Sequence, residues 1–188
     1  MIVWDMNVCL RRVAKRFRSD ARSGSAIVEF AMIAPVFFLL LFSIMEVGII
    51  FYAQSNLQFA NEIVGRLIRT GQVQGANLTQ TQVRLIVCAK AAPLIPCDSN
   101  LYVDIESFDN FGGVQFSPPL DQNGNMTQMN NFQPGAPCSV VLVRSFYAWR
   151  VFTPVLTPFL KNMAGDRHLI SSASAFRNEP YTTDIGGC

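Results

Sequence analysis

Charge is scarce in this chain. Only 15% of its 188 residues are Asp, Glu, Lys or Arg, against roughly 25% in ordinary soluble domains. Histidine is scarcer still, with His168 as the single example. It falls beside an expected surface turn at Gly165-Asp166-Arg167, a place for a solvated side chain rather than a general base. There is no Gly-rich phosphate loop, no Ser, His and Asp arrangement that can be assembled, and no cysteine pair with the two-to-four spacing that tetrahedral metal sites favour. Internal repeats are absent as well. These gaps argue against an enzyme and give no reason to expect a metal or another cofactor.

Basic residues are also missing over one long interval. Between Arg22 and Arg66 there is neither Lys nor Arg. Residues 1–24 by contrast hold Arg11, Arg12, Lys15, Arg16, Arg18 and Arg22 against Asp5 and Asp20, while the remainder carries nine cations against eleven carboxylates. A basic head on a mildly acidic body results. Such a head suits nucleic acid as well as a membrane surface, and the residues that follow it decide for the membrane.

From Ala26 to Ala53 the chain is almost wholly apolar, with Pro35 inside it and Glu46 as the one charge after Glu29. Ala31 to Ala53 alone is 23 residues, and about 20 suffice to cross the hydrocarbon core. The stretch is too long for a cleaved secretory signal core. Arginines before it and none directly after predict a cytoplasmic N-terminus and an exported C-terminus, hence a single-pass inner-membrane protein with a periplasmic domain. The organisation read from this is a cytoplasmic tail over 1–24, a transmembrane helix over 25–54 and a periplasmic domain over 55–188.

Beyond the span, Leu57, Ala60, Ile63, Val64, Leu67 and Ile68 keep the three-and-four spacing of an amphipathic helix, with Gly71 as its stop. One helix is therefore expected from about Ser25 to Thr70. A second covers Thr79–Ala92, starting near Thr79 or Thr81 and ended by Pro93. Leu101–Phe108 alternates as a half-exposed strand. Residues 109–137 are rich in Asn, Gln, Gly and Pro and form a long connection, either a binding loop or a disordered tip. In it Phe111, Phe116 and Phe132, with Phe108 just before, offer a partner surface or pack on their own domain. Cys138–Arg150 is the strongest strand signal, Thr153–Met163 a broken or short helix, and Leu169–Phe176 a last strand. The fold class is α+β: a long N-terminal helix, transmembrane then amphipathic, followed by a small domain with an antiparallel sheet.

The span separates Cys9 from Cys88, Cys97, Cys138 and Cys188. Those four would share an oxidising compartment, where disulfides persist. Three connectivities are possible. The favoured one joins Cys88 to Cys97 and Cys138 to Cys188.

Two carboxylates in or at the span need a reason, because unpaired charge in lipid is costly. Glu29 either reaches back to the interface beside Arg22 or has a partner. Glu46 either faces water, with the hydrocarbon part ending near Met45, or packs against another helix in lipid, with Gly48 allowing close approach.

The junction Gly24-Ser25-Ala-Ile-Val-Glu29-Phe30, extended by Pro35 and by Glu46-Val-Gly48, resembles the N-terminal signature of the TadE-like family and the processing site of type IVb prepilins. The resemblance implies cleavage after Gly24 by a membrane-embedded prepilin peptidase, with Ser25 as the new N-terminus. It implies that Glu29 neutralises the N-terminal ammonium of a neighbouring pilin-like subunit, and that the helix packs with others in a Tad (Flp) pilus assembly. Phe30 stands where the major Flp pilins usually have tyrosine, and the exported domain is far larger than theirs. A minor pseudopilin that primes, caps or anchors the fibre in surface adherence fits these departures. The other expectation is an unprocessed bitopic anchor or sensor whose exported domain binds a partner outside any fibre.

Overall fold

The computed structural model describes residues 4–117, 119–127 and 131–181, with side chains from Gly24 onward. The chain divides into two compact units, residues 1–44 and 45–188.

Helix α1 runs from Trp4 to Arg69 without interruption at Pro35. It starts well before the expected Ser25, so the head is helical in backbone over more than the one or two turns expected of it. From Ile27 to Met45 every large apolar side chain is exposed, between 37% and 69%. A helix that is apolar on all sides yet uncovered on all sides is suited to lipid or to other helices rather than to water. Its segment Gly24–Arg69 is long and apolar enough to cross a membrane.

From Glu46 the helix changes character. Glu46, Ile50, Ala53, Leu57, Ala60, Val64 and Ile68 are buried, a stripe at three-and-four spacing that faces one side of a domain. Ile63 and Leu67, expected inward, are half-buried at the stripe's margin. The compact unit that holds the sheet thus starts at Met45, ahead of Ser55. The sequence hides this because Val47–Ala53 is apolar enough for lipid and its inward face is equally suited to a protein core.

Helix α1 stops where Gly71 takes a left-handed φ of +75°. A side chain there would collide with the ring of Tyr181. A short turn of helix, α2 (Gln72–Gly75), follows. Helix α3 (Gln80–Ala91) opens on Thr79, whose hydroxyl and the Gln82 side chain cap one another's backbone amides. It buries Val83, Val87, Cys88 and Ala91.

Three antiparallel strands follow: β1 (Leu101–Phe108), β2 (Val140–Arg150) and β3 (Arg167–Arg177), in the spatial order β1-β2-β3. Between β2 and β3 lies one turn of helix, α4 (Thr157–Leu160). Strand β2 begins two residues later than expected, because Cys138 has a left-handed φ of +67° and Ser139 closes a turn onto Ala136. Residues Val140 to Ala148 are all buried, so both faces of the central strand are covered. On one face Val141, Val143 and Tyr147 join α1 and α3 in the main core. On the other, Phe146 and Ala148 pack with Leu169, Met163, Leu120 and Met126.

The long connection supplies that second cover. Its described residues are anchored at one point on the sheet: Asn131 and Gln133 hydrogen-bond Ile105 on the β1 edge, and Phe132 packs against the main core. Phe111 and Phe116 remain exposed.

Under this cover Arg144 is buried beside Asp104, its register partner across β1 and β2. The guanidinium donates to Asp104 at 2.6 Å and to Glu106 at 2.7 Å, and to the carbonyl of Gln115 in the connection at 3.2 Å. Burial nevertheless pushes the Asp104 carboxyl up from the usual aspartate value, against the pull of Arg144. That group therefore favours the fold most when protonated, and its contribution is lost as pH rises through the raised value. Replacing Arg144 by Met would strand two carboxylates under the connection. We expect a loss of about 3–5 kcal/mol, measured by chemical unfolding in detergent micelles. An unchanged midpoint would contradict the account.

Candidate functional site

Two places on α1 carry the candidate residues, one in each compact unit. At the first, Ser25 and Glu29 are a helical turn apart, and the Ser25 hydroxyl donates to the Glu29 carboxylate at 3.2 Å. Both are exposed, as is Phe30. Nothing lies within 4 Å of a side chain built at Gly24. The peptide after Gly24 is thus inside a continuous helix, and glycine is the residue that makes local unwinding easiest there, by about 1 kcal/mol relative to alanine. Pro35 lies about three turns beyond Gly24, within an unbroken helix.

The second place is Glu46. It is 7% exposed, and the partners the structure gives it lie in its own domain. The backbone amide of Phe152 donates to Oε1 at 2.5 Å and that of Thr153 to Oε2 at 2.8 Å. One carboxylate thus accepts from two successive amides of the chain leaving β2. Bonds to a charged acceptor are the stronger kind, and they satisfy donors that the end of the strand leaves unpaired. Gly48, expected to admit another helix, is exposed with open space around it.

Further along α1, Asn61 is fully buried. It donates to the carbonyl of Val143 at 3.4 Å and accepts from the Ser145 hydroxyl at 2.8 Å. Its role was not anticipated, although an amide one residue after Ala60 on a buried stripe is the available signal. Arg144 was likewise passed over inside an apolar strand, where a lone cation requires a carboxylate across the sheet.

Cys88 and Cys97 form a disulfide with Cα atoms 5.4 Å apart, closing α3 onto the approach to β1. Arg84 braces the same junction, donating to the carbonyls of Leu101 and Asp98. Cys138 is disulfide-bonded; Cys188, its expected partner, lies outside the described residues. His168 is not the solvated side chain expected. It is half-buried, with Nδ1 2.6 Å from the carbonyl of Leu160, so Nδ1 carries the proton and donates.

A helix long and apolar enough to span a bilayer continues as the core helix of a small α+β domain, and that architecture is the class the fold defines. One family match covers part of the chain, 38 of its 188 residues. Residues 24–61 match the model of the family described as TadE-like protein, the family that the Gly24–Gly48 signature resembles. No curated protein and no solved structure matches the chain. The matched segment starts at Gly24 and takes in Glu29, Phe30, Pro35, Glu46 and Gly48, and ends at Asn61. It therefore includes both the junction and the first turns that pack on the sheet.

Replacing Glu46 by Ala would leave the Phe152 and Thr153 amides without acceptors. Their hydrogen exchange should quicken at least about tenfold, the equivalent of roughly 1.4 kcal/mol, while the amides of β1 keep their protection. Unchanged exchange at both positions would show that the carboxylate is not their acceptor.

Proposed function

We propose that this chain is a minor pseudopilin of a Tad pilus, a structural component that is not itself an enzyme. In this reading α1 crosses the bacterial inner membrane with its basic head in the cytoplasm, and the domain from Met45 lies in the periplasm. A prepilin peptidase cuts after Gly24, and the released helix packs with the helices of other pilin-like subunits of the assembly machinery.

The observation that carries the reading is the TadE-like match, which starts at Gly24, on a helix whose next twenty or so residues are apolar and uncovered all round. The division of labour along α1 supports it. From Glu46 onward one face of the helix is occupied by the chain's own domain, so the part open to neighbouring helices on every face is the apolar run before it. Cleavage would place a new ammonium on Ser25 one turn from Glu29. An ammonium and a carboxylate in apolar packing need opposite charges close by, and one subunit's Glu29 can meet that need for another's Ser25. A carboxylate near a helix N-terminus is also favoured by the helix dipole.

The test is intact-mass and N-terminal analysis of the protein from its own cells, beside a Gly24→Ala variant. The open space at Gly24 means that the variant keeps the fold. A species starting at Ser25 in the parent and absent in the variant is expected. A chain that keeps its N-terminus in cells with an active prepilin peptidase would overturn the processed-pilin reading in favour of an unprocessed membrane anchor with a periplasmic partner.

A further inference from the structure

The segment that leaves β2 and returns to β3 keeps large apolar side chains out of the core. Phe152, Val155 and Phe159 are 70%, 48% and 82% exposed, with Pro154 and Pro158 exposed among them. Soluble surfaces seldom leave this much apolar area in one short loop without a use for it.

The loop is braced rather than slack. Its start is held by Glu46 through the amides of Phe152 and Thr153, and the Val151 amide donates to the carbonyl of Asp166. Leu156 and Thr157 donate back to the Thr153 carbonyl, and the two prolines fix φ on either side of Val155–Thr157. At its end the Lys161 ammonium is 3.3 Å from Asp166, and His168 donates to Leu160. These bonds fix the backbone while leaving the three apolar side chains outward.

Its tether says which solvent those side chains meet. Glu46 belongs to the turn of α1 that directly follows the uncovered apolar run, and Met45 beside it, in the same compact unit, is exposed too. The loop is therefore hydrogen-bonded to the turn of helix where the span gives way to the domain. Its flanks are basic: Arg150, Lys161 and Arg167 are exposed, against Asp166 as the one carboxylate from 150 to 167.

The geometry points to residues 151–160 as a second membrane contact, in which Phe152, Val155 and Phe159 enter the interfacial layer of the lipid bilayer while Arg150, Lys161 and Arg167 meet headgroup phosphates. The inference rests on the proposed reading that α1 crosses the membrane. Aromatic side chains favour that layer, and cations beside anionic lipid add attraction. The loop and the span together hold the domain to the bilayer at two points, which limits its swing about α1. A subunit drawn out of the membrane would have to release the loop as well as the helix.

The test uses the full chain with Cys9→Ser, reconstituted in vesicles of phosphatidylethanolamine and phosphatidylglycerol. Single cysteines placed by Phe159→Cys, Phe38→Cys or Asn123→Cys carry an environment-sensitive NBD label, attached without reductant. Phe159 is so exposed that its replacement leaves no cavity. NBD at 159 should show blue-shifted emission and lose intensity to a doxyl group placed high on the lipid acyl chain, whereas NBD at 123 should lose intensity only to aqueous iodide. Quenching at 38 but iodide quenching alone at 159 would overturn the second contact and leave the span intact. A blue shift at 159 without doxyl quenching would also overturn it, assigning the loop to a protein surface. Loss of doxyl quenching at 38 as well as 159 would sink the membrane-crossing reading itself.

Discussion

The carboxylate of Glu46 accepts from two backbone amides 106 and 107 residues further along the chain, and this closure makes α1 part of the domain. It fixes the first position of the buried stripe, from which Ile50, Ala53, Leu57, Ala60, Val64 and Ile68 follow by periodicity. Each of the later positions packs into the main core with Val141, Val143 and Tyr147 of β2. Asn61 adds polar bonds to the same strand at Val143 and Ser145. A helix joined at one end by a buried carboxylate and midway by a buried amide has one register against the sheet, since sliding it would leave both groups unpaired at considerable cost.

That constraint leaves two different surfaces on one helix. From Ile27 to Met45 no large apolar side chain of α1 is covered by its own chain; from Glu46 onward, one side is a core. Residues 26–45 make about 30 Å of helix, which matches the hydrocarbon thickness of a bilayer. In the proposed pilin role the same length serves first in lipid and then among neighbouring helices. The domain keeps its own fold through that exchange, because no turn of its core helix is shared with the span. Arg144 and its two carboxylates secure the opposite face of the sheet beneath the long connection, so the domain's two layers are each tied to β2 by polar groups as well as by apolar packing.

Much of this was legible in the sequence. The apolar run, the helix stop at Gly71, the Thr79 start of α3 and the three strands each follow from local chemistry: periodicity, capping and β-branched content. Gly24, Glu29 and Phe30 stood out because the junction as a whole has few chance equivalents, and the family match begins at Gly24. What escaped was non-local. Glu46 looks alike whether its acceptors' partners are water, lipid-buried helices or amides a hundred residues away. The backbone amides of Phe152 and Thr153 carry no side-chain signature at all. The anchoring of the connection was hidden for the same reason: Asn131 and Gln133 extend the sheet edge through their backbones, while their side chains read as loop. Arg144 was visible but was averaged away in a strand otherwise built of Val, Leu, Phe and Tyr.

The handover from lipid to domain at Glu46 is tested most directly by spin labels placed singly along α1 from Val36 to Phe59 in bilayers, with accessibility to oxygen and to an aqueous nickel chelate read at each position. The account predicts oxygen-dominated accessibility through Met45. Nickel should then rise at the exposed positions Ile49, Phe51 and Tyr52, and both quenchers should be excluded at Ile50, Ala53 and Leu57. Labels at Ile49, Phe51 and Tyr52 as deep in lipid as one at Phe38 would contradict it, and would place the end of the span beyond the turn that Glu46 holds.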